Sequence, residues 1–179
     1  RLSSSIKQSF TGLGPCEDEG DNSFMYMNNY KRNPEWDTWE HIFDNVSCKH
    51  ISVFISVDGI GPQAEYIRDG LNYDTWLNNS KRLLDQPKVN RFYVMLTINA
   101  LCLGTITDFM DDMLELRKEY DEMQILLSLN PVYNPEFHSI STLPTHIIKH
   151  YNDKLKVWYE ERKGDLRSYE VTHVTRLIE

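Results

Sequence analysis

The order in which two hydrophobic periods alternate along this chain constrains its fold more than any single motif does. Apolar runs with strand-like alternation begin near Ser23 ("SFMYM"), Ile51 ("ISVFIS"), Arg91 ("RFYVMLTI") and Met123 ("MQILLSL"). Between them the apolar residues recur with helical spacing. After Pro34, whose missing N–H is not needed in a first helical turn, Trp36, Trp39, Phe43 and Val46 mark one helical face. "GPQAEYIRDGL" predicts a short helix or turn, and "YDTWLNNSKRLLDQ" a longer helix carrying Trp76, Leu83 and Leu84 inward until Pro87 stops it. The strand Arg91 to Ile98 feeds a helix starting near Thr105, where Thr105 and Asp108 resemble an N-terminal capping pair. Its core stripe is Ile106, Phe109, Met110, Met113 and Leu116. The fourth strand is expected over Met123 to Leu129, stopping at Asn130 and Pro131. After "NPVYNPEFHSISTLP" another helix is expected from Thr145 to Lys163, and the tail from Asp165 reads as helical. Strand and helix in strict alternation predict an α/β fold of parallel β/α units, because parallel strands need a crossover element between them.

Bulk properties narrow the function classes. A net charge of -8 argues against a phosphate-binding surface, since duplex affinity rests on Lys and Arg displacing counterions. Nucleic acid is therefore not the expected partner. Cys16, Cys48 and Cys102 stand too far apart for a metal knuckle and do not form an even disulfide set, which points to a cytoplasmic setting. No apolar run approaches the roughly 20 residues that span a bilayer, so membrane insertion is not expected. The segment 1–22 is polar and weakly periodic, 23–163 is the expected core, and 164–179 a helical tail. Since the chain starts at Arg1, an upstream element is expected to be missing.

Three strands end alike. Ser56 and Asp58, Thr97 and Asn99, and Ser128 and Asn130 are each separated by one apolar residue, so the members of each pair share a strand face. Parallel strands gather their C-terminal ends at one rim, where ligands usually bind. Such a rim offers hydroxyls, amides and a carboxylate to a polar, hydroxyl-rich ligand. The competing reading is local: Asn, Asp and Ser turn the chain and cap the next helix at strand exits.

"ISVFISVDGIGPQAEYIRDGLNYDTWLNN" resembles the fourth-strand region of radical SAM enzymes of the SPASM or twitch type, whose strand ends in Ser-x-Asp-Gly before an "aeYiR.G" helix. "TINALCLGTITDFMDDMLELRKEY" and "LSLNPVYNPEFHSISTLP" are similar to the fifth and sixth units, and the likeness runs from Met25 to Tyr159. The resemblance implies a partial (β/α)6 TIM-type barrel. It also implies that S-adenosylmethionine binds a 4Fe-4S cluster and is cleaved reductively to a 5'-deoxyadenosyl radical. An electron donor such as a reductase would supply the reaction, and the substrate would be a peptide or small metabolite. By position Ser56 would contact the methionine or ribose part of the cofactor, and Arg68 its carboxylate through a two-pronged guanidinium contact. Thr97 and Asn99 would face the ribose, and Ser128, Asn130 and Val132 the adenine. Asp58 either joins this set or holds the Gly59 turn; Arg68 either joins it or pairs with Glu65 or Asp69 on the surface.

The CxxxCxxC loop that carries the family's cluster is absent from this sequence. Clustered thiolates are what an iron–sulfur centre requires. The expectation is that this loop lies upstream in a longer protein and an auxiliary-cluster extension downstream. The alternative is a scaffold or binding module that kept the barrel and lost the cluster. A barrel hydrolase is a third reading, and it lacks a second rim carboxylate to work with Asp58. His146 and His150 have i, i+4 spacing but no HExxH glutamate, and "GLGP" from Gly12 lacks the lysine of a phosphate loop.

Overall fold

The computed structural model describes residues 23–27, 50–120 and 124–179. The expected helix after Pro34, the turn at Gly12, Cys16 and Cys48 lie outside these residues. The strands are β1 (Ser23–Met27), β2 (Ile51–Val57), β3 (Val89–Ile98) and β4 (Ile125–Pro131), all parallel and side by side in chain order. The helices are α1 (Gly61–Ile67), α2 (Tyr73–Leu84), α3 (Ile106–Glu119), α4 (Thr145–Arg162) and α5 (Ser168–Ile178). The protein is thus an α/β fold with an open parallel sheet flanked by helices.

Alternation in each strand explains the layering. Ile51, Val53, Ile55 and Val57 of β2 are buried, as are Phe92, Val94, Leu96 and Ile98 of β3 and Ile125, Leu127 and Leu129 of β4. They join one core with Trp76 and Leu83 of α2, Phe109, Met110 and Met113 of α3, Leu155 and Trp158 of α4, and Val174 of α5. Residues of α1 to α5 all contribute to this one core, as expected where right-handed crossovers join parallel strands laid down in sequence. The opposite face carries Phe54, Ser56, Tyr93, Met95, Thr97, Leu126 and Ser128, all half-buried.

Local chemistry sets most boundaries. Asn72 caps α2 by accepting the Thr75 amide at 2.8 Å, and Lys81 and Arg82 complement the dipole in its last turn. α3 starts one residue after Thr105, and the capping pair expected there is not formed. The Thr105 hydroxyl instead donates to the Cys102 carbonyl at 3.2 Å, while Asp108 accepts from Lys154 at 3.3 Å. β3 begins earlier than expected, at Val89. β4 runs past Leu129: Asn130 pairs with Thr97, and Pro131 with Ile98. Proline is tolerated there because its missing N–H falls on the outward side of an edge strand.

That outward edge is closed by α5. Leu127 donates its amide to Glu170 Oε1 at 3.1 Å, and Leu129 to His173 Nδ1 at 3.4 Å. Glu170 is buried and also accepts from both terminal nitrogens of Arg117, from the Arg167 amide and from the Tyr169 hydroxyl. Burial pulls its carboxyl upward, but Arg117 and the two backbone amides outweigh that and hold it below the usual carboxylate range. The helical tail is therefore packed against the sheet.

Candidate functional site

Strand register decides which sequence-marked residues meet. Ser56 lies beside Met95, which lies beside Ser128; one rung toward the C-terminal ends, Thr97 lies beside Asn130. Ser56, Thr97, Ser128 and Asn130 thus share the face opposite the helix-packed core. With strands spaced about 4.8 Å apart, Ser56 and Ser128 are about 10 Å apart, and the two rungs are separated by about 6.6 Å. That is a patch on the scale of a nucleoside. Ser128 and Asn130 hold each other, Asn130 Nδ2 donating to Ser128 Oγ at 3.2 Å and to its carbonyl at 3.3 Å. The hydroxyls of Ser56 and Thr97 have no hydrogen-bond partner among the described residues. Below this polar layer Phe54 and Tyr93 stack with centroids 4.3 Å apart and planes within 3°.

Asp58, Arg68 and Asn99 belong to the architecture of the strand ends. Arg68 Nε donates to Asp58 Oδ2 at 2.6 Å and its Nη1 to the Ser56 carbonyl at 3.3 Å, with both side chains largely buried. The guanidinium fastens α1 to the end of β2, and neither Glu65 nor Asp69 is its partner. Glu65 instead accepts the Tyr73 amide at 2.8 Å. Asn99 is buried, and its Oδ1 accepts the Leu101 amide at 2.9 Å, the side-chain turn for which Asn is suited at a strand exit. Gly59 completes the junction: at φ 141 it takes a conformation open to glycine, and a Cβ there would lie 2.8 Å from Thr105 Oγ1.

Strand alternation puts Phe54 on the face of Ser56, and Tyr93 and Met95 on that of Thr97; the register adds that Met95 lies between Ser56 and Ser128. Of the exposed large apolar side chains among the described residues, Tyr66, Leu101, Tyr133 and Phe137 lie in the connections that follow β2, β3 and β4, and Val157 lies on α4. Backbone bonds from Val132 to Ile98 and from Ala100 to His138, both 2.8 Å, bring the last two connections alongside one another.

The described residues do not fit an iron–sulfur cluster. Cys102 is their one free cysteine; it is buried, and burial pushes its thiol up to about 11, far from the thiolate a metal needs. Among the described residues no group of three or more His, Cys, Asp or Glu is placed to hold a metal ion, and His146 and His150 stand exposed on α4. Likewise, among them, no helix is long and apolar enough to cross a membrane. No family model, no curated protein and no solved structure matches the chain.

Proposed function

We propose that this chain is the latter part of a partial (β/α)6 barrel of the radical SAM type and forms the cradle for S-adenosylmethionine. The observation that carries the reading is the two-rung polar patch of Ser56, Thr97, Ser128 and Asn130 at the C-terminal ends of parallel strands laid down in chain order. Two features support the barrel. Strand order without reversal is that of a singly wound sheet rather than a doubly wound one. An outer edge closed by Glu170 and His173 suits a last strand. Within the cradle, Ser56 and Thr97 supply hydroxyls that can donate to or accept from ribose and methionine groups, and the Asn130 amide serves the adenine side. Arg68, held by Asp58, acts by fixing the end of β2, and the cofactor carboxylate needs another partner.

In the completed enzyme the chemistry is reductive cleavage of S-adenosylmethionine to a 5'-deoxyadenosyl radical, in a reducing cytoplasm, on a peptide or small metabolite. The cluster ligands and the electron donor come from outside the described residues. A second reading has a specific observation in its favour: Arg68 is sequestered and the described residues hold no thiolate set, as in a binding module that kept the barrel without the redox centre.

Titration of the chain with S-adenosylmethionine, followed by amide NMR shifts, tests the cradle. Shifts are expected at Ser56, Thr97, Ser128 and Asn130, and the Ser56→Ala, Thr97→Val double variant should bind about tenfold more weakly, the loss of two modest hydrogen bonds. Absence of shifts there overturns the cradle. Anaerobic reconstitution of a longer chain bearing CxxxCxxC then separates the two readings: 5'-deoxyadenosine release supports the enzyme, and a chain without cluster or cleavage leaves the binding module.

A further inference from the structure

We propose that His173 is a protonation-sensitive latch that fastens α5 to the outer edge of β4. A strand edge exposes N–H groups that must be covered or will pair with another chain. In β4 the backbone groups of alternate residues face outward: the Leu127 amide is covered by Glu170, the Leu129 amide by His173, and Pro131 has no donor to cover. The two covers differ in chemistry. Glu170 accepts as a carboxylate, whereas His173 accepts through Nδ1 and does so only while that nitrogen keeps its lone pair. A proton on Nδ1 sets N–H against N–H and opens the bond. Histidine is the side chain whose charge changes near neutral pH.

The surroundings leave the imidazole as the group that changes. On α5 itself the Tyr169 ring stands edge-on to His173 at 5.8 Å, and burial first, then the Glu170 charge, pushes its phenol up to about 12. Glu170, held below the ordinary carboxylate range, stays ionised, and Arg176 is exposed. From α3 comes Arg117, permanently charged and committed to Glu170. Residues Ile125–Pro131 of β4 carry no ionisable side chain. α4 meets the end of α5 through the uncharged Asn152, which donates to the Ile178 carbonyl at 2.9 Å. Acidification therefore releases the Leu129 end of the seal while the Glu170 anchor holds, turning part of a protected edge into an available one.

Amide hydrogen exchange by NMR on the whole chain, from about pH 8 to 5.5, tests the latch. After correction for intrinsic exchange, Leu129 protection should fall by at least about tenfold between the two ends of this range. Leu127 protection should stay constant. In His173→Gln, whose amide oxygen accepts without titrating, the Leu129 dependence should vanish. Constant Leu129 protection in the natural chain, or the same slope in His173→Gln, overturns the proposal. A readout that needs no variant is the imidazole nitrogen spectrum at pH 8: a proton on Nε2 agrees with the latch, and one on Nδ1 overturns it.

Discussion

The outer edge of β4 and the sheet face opposite the helices are both polar regions bordering one apolar core, and they differ in how their groups are satisfied. At the edge, Glu170 collects Arg117, Tyr169 and two backbone amides. On the sheet face opposite the helices, Ser56 and Thr97 are half-buried and their hydroxyls have no partner among the described residues. A buried polar group costs stability unless it is bonded, and a fully connected network specifies one arrangement. A half-buried hydroxyl keeps access to water and can exchange that water for a ligand. The contrast separates architecture from the proposed site: Asp58, Arg68, Asn99 and Glu170 sit in closed networks, whereas Ser56 and Thr97 do not.

This contrast can be broken by mutation. The largest loss is expected for Glu170→Ala, which strands a buried guanidinium; breaking such a pair from one side costs about 3–5 kcal/mol, to be read from the urea midpoint. Next comes Gly59→Ala, expected to cost about 1–3 kcal/mol from its backbone conformation, plus the contact with Thr105 Oγ1. Adding Thr105→Ala should recover only the contact part. Asn72→Ala removes a cap on exposed surface and should cost about 1 kcal/mol. Ser56→Ala and Thr97→Val should change stability by less than about 0.5 kcal/mol while weakening S-adenosylmethionine binding. A large stability loss at Ser56 or Thr97 would move them from site to architecture.

Acid should reach the edge before the face. Because the Glu170 carboxyl is lowered in the folded chain, the unfolded chain binds the proton more readily. Its contribution is complete above the unfolded carboxylate value of about 4.3 and is lost as pH falls through the lower folded value. Urea midpoints across that range should fall for the natural chain and fall less for Glu170→Gln. At the alkaline end Tyr169 has the opposite sign: its phenol is raised to about 12, so its contribution is full below the ordinary value of about 10 and is lost as pH climbs through the folded one. Phenolate absorbance should reveal this late titration, and Tyr169→Phe should remove its share while leaving that of Tyr73, whose phenol burial also raises.

The alternation of periods was enough to place β1 to β4 and the helices after β2, β3 and β4, because burial on one strand face and one helix stripe is written directly in residue order. Of the three i, i+2 pairs read from the sequence, Ser128 and Asn130 lie within one strand, whereas Asp58 and Asn99 fall one residue past the ends of β2 and β3 and are buried. Sequence could not separate the members of those pairs, since Asp58 becomes structural through Arg68, ten residues later, and Asn99 through its own turn. Nor could it foresee Met95 between two serines, which depends on register, or the bond between Arg117 and Glu170, which joins residues far apart in the chain. Local pattern determines which face of an element is apolar. Which polar groups on the other face find partners is decided only when the elements pack, because hydrogen bonds act over a few ångströms in space and are indifferent to distance along the chain.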